Sequence, residues 1–170
     1  AAREAGFTKQ QVLGWINNRN KPQEQSIGDL LYWRLAPRFT IITEYRPIET
    51  AGTQASIHSQ LAKIFKGNER ESGLYAFYDS MANLIYLGKS NGNLFKECYM
   101  QLMASTKTGL FPKGAKQPKR RLDVVRYISA YHVRGSDYDD HAKHVESLIL
   151  RVSKPILNSN IGYLDKFGPK

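Results

Sequence analysis

Apolar and polar positions alternate most clearly in the middle of the chain, where they predict a hairpin followed by a helix. Two runs rich in aromatic and branched residues, Leu74–Tyr78 and Leu84–Leu87, flank the polar segment Asp79–Asn83. Such runs joined by a short polar loop are typical of two antiparallel strands. Beyond them, Asn93 is a good helix N-cap, and apolar residues recur at helical spacing as far as Leu102.

The rest of the chain alternates between helical and extended patterns. Apolar residues at helical spacing predict four further helices, a short helix is predicted over Ala1–Ala5, and two other segments look like strands. The predicted fold class is α/β in the α+β sense, with a small central antiparallel sheet flanked by helices and preceded by a helical N-terminal segment. The predicted helices run from about Thr8 to Asn18 and over Ser26–Leu35, Ser56–Lys66 and His141–Val152, and the predicted strands over Phe39–Tyr45 and from Arg120 to Val133.

Composition narrows the class of protein. The 170 residues are 41% hydrophobic, which is enough for a packed core, and no apolar run is long enough to span a membrane. Cys98 is the only cysteine, which excludes an internal disulfide and fits a reducing compartment. We therefore expect a soluble, cytoplasmic protein without a membrane partner.

Positive charge is in excess and unevenly distributed. The net charge is +10, and between residues 107 and 126 seven cations face only Asp123. A solvated basic surface is one reading. A polyanion partner is the sharper one, because phosphate neutralisation dominates affinity for nucleic acids. The candidate DNA-contact residues of this stretch are Lys113, Lys116, Lys119, Arg120 and Arg121.

Three side chains stand out as candidates for chemistry. Tyr75 and Tyr86 lie eleven residues apart on the two predicted strands, each close to a glycine. Hydroxyl groups at mirrored positions of a hairpin can point into one site, and glycines allow a substrate backbone to approach. Glu146 lies on the flank of the apolar stripe of the last helix, where a carboxylate needs a cation or hydrogen bonds to stay ionised.

These residues occur in two short motifs. The first is Gly73-Leu74-Tyr75, and the second is Tyr86-Leu87-Gly88 followed by Lys89; later, Glu146 precedes Pro155-Ile156-Leu157-Asn158. The pair of motifs, their spacing and the later glutamate resemble the GIY-YIG nuclease family. The resemblance covers residues 73–158, about half of the chain.

The resemblance implies a metal-dependent endonuclease of restriction, homing or mobile-element type, acting on double-stranded DNA. Tyr75 would take a proton from the attacking water, and Tyr86 would bond the phosphate or support Tyr75. Lys89 would lower the tyrosine pKa. Glu146 would be the single protein ligand of one Mg²⁺ or Mn²⁺ ion, and Asn158 would fix the site by hydrogen bonding.

The sequence departs from the family at one cationic position. The family carries an arginine on the helix after the second motif, whereas this chain has Lys96 or Glu97 there, depending on the register. We expect Lys96 to supply the charge, with Arg120 or Arg121 as substitutes. The alternative is a DNA-binding protein whose nuclease-like fold does not cleave. The oligomeric state is open, with a dimer as one option.

The first residues resemble the second and third helices of a repressor-type helix-turn-helix. The resemblance rests on the turn at Gly6, on Trp15 and on the exit Asn17-x-Arg19-x-Lys21-Pro22. It implies that Lys9, Gln10 and Gln11 contact a major groove; a helix pair used only for packing is the other reading. Because Pro47 to Gly52 looks like a linker, we predict a helical DNA-contact segment over residues 1–50 and a nuclease-like domain over 51–170.

Overall fold

The computed structural model describes residues 3, 5–35, 38–51, 53–106, 114, 117–134 and 141–164, with the backbone alone at 33–35. The chain divides into two compact units, Ala1–Arg38 and Phe39–Lys170. None of the helices in the described ranges is long and apolar enough to cross a bilayer.

In the described part of the first unit, the two longer helices that the pattern predicted are present, and the short helix predicted over Ala1–Ala5 lies mostly outside the described residues. Helix α1 (Lys9–Ile16) begins at Thr8, whose side chain accepts a hydrogen bond from the backbone of Gln11, and helix α2 spans Glu24–Leu35. Helix α1 is shorter than predicted because the backbone turns away after Ile16 and Asn18 takes a left-handed conformation, with φ 54°. Among the residues described in this unit, none is buried.

The second unit is built on a four-stranded antiparallel sheet, which confirms the predicted fold class. In spatial order its strands are β1 (Arg38–Pro47), β4 (Tyr127–Arg134), β2 (Gly73–Tyr78) and β3 (Leu84–Ser90). Strand β1 therefore belongs to the sheet. The division between the units falls at Arg38, earlier than the predicted boundary near residue 50, because β1 is neighbour to a strand more than eighty residues away.

The predicted hairpin is confirmed. Strands β2 and β3 pair with Tyr75 opposite Gly88 and Phe77 opposite Tyr86. The Asp79 carboxylate closes the turn by accepting hydrogen bonds from the backbone of Met81 and Asn83 at 2.9 Å each. Such Asx-type bonds hold a tight turn without help from distant residues.

Helices cover both faces of the sheet. Helices α3 (Gln54–Ile64) and α4 (Leu94–Met103) pack on the face that carries Tyr75 and Phe77, and the Asn93 side chain caps α4 as predicted. Successive side chains of a strand point to opposite faces. Helix α5 (His141–Ser153) packs on the other face, where its Leu150 contacts a cluster made by Ala76, Tyr78 and Leu87.

The strand predicted from Arg120 to Val133 begins only at Tyr127. Before it lies a short 3₁₀ helix, Arg121–Asp123. The Asp123 carboxylate accepts hydrogen bonds from the backbone of Lys119 and Arg120, at 2.8 and 3.0 Å, and so folds this stretch into a turn. A local side-chain bond therefore overrides the extended pattern.

Candidate functional site

A pocket of about 760 Å³ lies at the outer edge of β3, the last strand of the sheet. Its walls come from β3, from α4, from the 3₁₀ helix, from α5 and from the segment that follows α5. Four of the six residues predicted to be catalytic line it, together with one predicted DNA-contact residue and one lysine that the pattern did not single out. These are Tyr86, Lys89, Glu146 and Asn158, then Arg121, and finally Lys143.

Asn158 joins the segment after α5 to the free edge of β3. Its side-chain oxygen accepts a hydrogen bond from the Leu87 backbone N–H at 2.9 Å, and its side-chain nitrogen donates to the Leu87 carbonyl at 2.7 Å. The backbone N–H of Leu157 donates to the carbonyl of Ile85 at 2.9 Å. These bonds satisfy strand groups that an unpaired edge would leave open, and they fix one wall of the pocket.

Tyr75 and Tyr86 lie on the same face of the hairpin, with ring centroids 6.1 Å apart. They differ in access, because Tyr86 is half-buried and lines the pocket whereas Tyr75 is 1% exposed. Burial, and then the neighbouring Tyr86, raise the pKa of Tyr75 well above its usual range. The expectation of a lowered pKa is therefore wrong for Tyr75.

The two glycines of the motifs are explained by packing within the chain. A Cβ on Gly88 would lie 2.5 Å from the ring and hydroxyl of Tyr75, which rests directly over it. A Cβ on Gly73 would collide with the backbone oxygen of Tyr131 on β4. Neither backbone has a positive φ, so the requirement is for space. Approach of a substrate was the expected reason, and the structure gives a different one.

Arg121 places a cation over the ring of Tyr86. Its guanidinium carbon lies 4.1 Å from the centroid of the Tyr86 ring, a distance at which a cation is attracted to an aromatic face. Its Nη1 donates to the backbone oxygen of Gln101 at 3.4 Å and also to the side-chain oxygen of that residue. Its buried Nε–H has no hydrogen-bond partner among the described residues. A buried donor left without a partner costs free energy.

Lys96 is not brought to this pocket. Its side chain is exposed on α4, and its backbone N–H is held by the Asn93 cap at 2.9 Å. Glu97 is half-buried and close enough to Tyr75 to contribute to its raised pKa. Of the two alignments that the sequence left open, the structure places Glu97 closer to the hairpin, and Arg121 arrives from another element.

Glu146 shares the pocket with three cations, Lys89, Arg121 and Lys143, which gives these four residues a net charge of +2. Lys89 follows Gly88 on the strand and donates from Nζ to Asn91 at 3.2 Å. In the described part of the chain, no group of three or more His, Cys, Asp and Glu side chains is placed to hold a metal ion. Glu146 is the one carboxylate among the residues that line the pocket, so a hard cation held there would complete its shell with water and substrate oxygens.

The predicted DNA-contact residues lie in different places. In α1, Lys9 and Gln10 are exposed, but the side-chain oxygen of Gln11 accepts bonds from the backbone N–H and the hydroxyl of Thr8, at 2.8 and 2.9 Å. The helix cap therefore occupies the oxygen that would read a base. Near the pocket, Lys119 and Arg120 are exposed. Lys113 and Lys116 lie outside the described residues.

Sequence reasoning missed three parts of the pocket. Gln101 and the segment 159–163 carry no local signal, because only packing brings them there. Lys143 precedes Glu146 by three residues on α5, a spacing that places two side chains on neighbouring positions of a helix. That spacing was the available signal.

No family model matches the chain, and comparisons with curated proteins and with solved structures give no match either.

Proposed function

We propose that this protein is a metal-dependent endonuclease that hydrolyses phosphodiester bonds in double-stranded DNA. The observation that carries the proposal is the convergence of Tyr86, Lys89, Arg121, Glu146 and Asn158 in one pocket at the edge of β3. They come from four separate stretches of the sequence. Their resemblance to the GIY-YIG motifs supports the same activity and a restriction, homing or mobile-element role.

In this proposal the cations of the pocket bind the scissile phosphate. Arg121 is held by Gln101 and by the ring of Tyr86, so its guanidinium is already oriented before substrate arrives. Arg121 lines the pocket, where its guanidinium would donate to a phosphate oxygen. A fixed donor of this kind stabilises the negative charge that grows in the transition state, and it does so without reorganising.

Tyr86 is the tyrosine that meets water or phosphate. Tyr75 packs beside it within the core, with the two ring centroids 6.1 Å apart. Tyr75 itself is too buried to reach a water in the pocket, and its raised pKa opposes the phenolate that a general base requires. We therefore assign Tyr75 a positioning role and Tyr86 the contact with the reacting groups.

Glu146 would hold the metal ion. A Mg²⁺ or Mn²⁺ ion bound there would supply Lewis-acid polarisation of the phosphate and a more acidic bound water. The chain's own contribution is to keep the carboxylate half-buried on α5 and facing the cationic wall of the pocket. Asn158 keeps the segment after α5 attached to β3.

The burial of Tyr75 and the exposure of Lys96 favour a second candidate, a DNA-binding protein that does not cleave. Both residues would be expected in the reacting group of an active enzyme with this resemblance. The two candidates can be told apart by measurement. The second predicts that the protein binds DNA but cuts no strand, whichever metal ion is added.

The deciding experiment is plasmid cleavage in Mg²⁺ or Mn²⁺ by the wild type and by Glu146→Gln. We expect nicked or linear plasmid from the wild type, loss of cleavage in Glu146→Gln and in excess chelator, and unchanged DNA binding. His144→Gln is the matched control, since His144 is exposed on the same helix. Full cleavage by Glu146→Gln would refute the site. Tight binding with no cleavage by the wild type would support the second candidate.

A further inference from the structure

One wall of the pocket is a short segment, residues 159–163, that the sequence did not single out. It leaves the edge of β3 at Asn158 and runs to the side of α5, and all five of its residues line the pocket. We call this segment the rim. Its sequence, Ser-Asn-Ile-Gly-Tyr, contains no charged group.

The rim is fixed at both ends. At its start, the two hydrogen bonds between Asn158 and Leu87 hold it to β3. At its end, the backbone N–H of Tyr163 donates to the Ser147 hydroxyl on α5 at 3.3 Å. Gly162 has φ +73°, and a Cβ there would lie 2.5 Å from the Cα of Ser147. Glycine therefore allows the rim to lie directly on α5.

The rim presents large apolar side chains beside a cationic pocket. Tyr163 is 73% exposed and Ile161 is 60% exposed, on a segment whose backbone is held at Asn158 and at Tyr163 itself. The same pocket carries a net charge of +2 from its charged residues, Lys89, Arg121, Lys143 and Glu146. A nucleotide matches both properties, because its phosphate is anionic and the faces of its base are apolar. A volume of about 760 Å³ lies within the range of small-ligand sites.

We propose that the rim is a base-contacting surface, on which Tyr163 stacks against the base next to the phosphate bound in the pocket. This rests on the proposed function for the nature of the ligand, but it does not require cleavage. Stacking on an aromatic ring tolerates any base, since every base has a π-face. Tyr163 would thus hold the nucleotide beside the scissile bond without selecting a sequence.

The test measures the affinities of the wild type and of Tyr163→Ala for two DNA ligands and compares them. Excess chelator is present so that no strand is cut. One ligand is a fluorescein-labelled single strand of five thymidine nucleotides, and the other is the same strand with abasic sugars. Single strands are used because a duplex would have to unstack before a base could reach Tyr163. We expect the wild type to prefer the strand with bases, and Tyr163→Ala to lose about tenfold in affinity for that strand alone. Tyr163→Phe should keep the preference, because the ring does the stacking.

The control is Tyr45→Ala, which removes an exposed tyrosine from β1, the opposite edge of the sheet. It should leave the preference for bases unchanged. Three results would overturn the inference. The wild type and Tyr163→Ala could show an equal preference for the strand with bases, Tyr163→Phe could behave like Tyr163→Ala, or the wild type could bind neither strand. A wild type that cuts plasmid but shows no Tyr163-dependent preference refutes the rim alone. A wild type that shows the Tyr163-dependent preference but does not cut plasmid refutes only the endonuclease.

Discussion

At the scale of single residues, the position of one guanidinium group decides which cation lies beside Tyr86 in the pocket. Arg121 lies over the ring of Tyr86 and keeps one buried N–H open, whereas Lys96 is exposed on the outside of α4. A guanidinium offers several donors in a rigid plane, and an ammonium group does not. The cationic role that the sequence pattern gave to Lys96 is therefore better placed on Arg121.

We expect Arg121→Ala to lower the single-turnover cleavage rate by about 10²-fold or more, as removal of one stabilising donor does. Arg121→Lys should recover little of that loss, because lysine cannot reproduce the held planar geometry. Lys96→Ala should cut at nearly the wild-type rate. A large loss in Lys96→Ala together with a normal rate in Arg121→Ala would reverse the assignment.

A second residue-scale prediction concerns Gly88. A Cβ at this position would press on the Tyr75 ring, which is buried in the core. We expect Gly88→Ala to lower the free energy of unfolding by about 1–3 kcal/mol, the usual cost of overpacking a core. The measurement is urea denaturation. Gly92→Ala is the matched control, since a Cβ at Gly92 would meet nothing within 4 Å; equal stability in both variants would show that Tyr75 moves aside without cost.

At the scale of elements, the outer edge of β3 is the feature that organises the site. An edge strand offers unpaired backbone groups, and here the Asn158 side chain and the Leu157 backbone occupy them. The same bonds hold the chain after α5 against the strand that carries Tyr86. One strand edge therefore supplies both a tyrosine and the attachment point of the rim.

We expect Asn158→Asp to destabilise the protein, because a carboxylate cannot donate to the Leu87 carbonyl and would repel its oxygen. The loss should be about 1–3 kcal/mol in the free energy of unfolding. Asn160→Asp introduces the same charge at an exposed position two residues later and should change stability little. The comparison uses thermal or urea unfolding of both variants. If they unfold alike, the two bonds to Leu87 contribute nothing measurable.

At the scale of the whole molecule, the net charge is +10, and the positions of the basic residues determine where an anionic partner would be attracted. Lys119 and Arg120 are exposed and immediately precede Arg121, and Asp123 holds their backbone in a turn. Phosphate contacts made there would position DNA without reading its sequence. They would also make the affinity fall steeply with salt.

The double variant Lys119→Gln/Arg120→Gln should weaken binding to all DNA sequences and flatten its salt dependence. For two lost phosphate contacts, the slope of log affinity against log salt should shrink by about 1.8. Lys63→Gln/Lys66→Gln removes the same charge from exposed positions in and just after α3 and is the control. An equal change in both variants would mean that only the total charge matters, and a change for one DNA sequence alone would make this stretch a base reader.

The elements that the sequence predicted well are those fixed by near neighbours. The hairpin follows from alternation and from the Asp79 turn, and the start of α4 follows from the Asn93 cap. The errors arise where contacts span long distances or where one side chain overrides a pattern. Strand β1 was assigned to the N-terminal segment because its place in the sheet cannot be read locally. The extended reading from Arg120 failed because the Asp123 carboxylate closes a turn.

The sequence by itself determined the α+β class, the hairpin with its two tyrosines and the glutamate on the flank of α5. Periodicity, capping and turn chemistry act over a few residues, so they can be read from the chain alone. Only the tertiary structure decided that Tyr75 is buried, that Arg121 covers Tyr86, and that Asn158 brings the rim to the edge of β3. These facts depend on how distant segments pack, because burial, pKa and access to a pocket belong to the assembled fold.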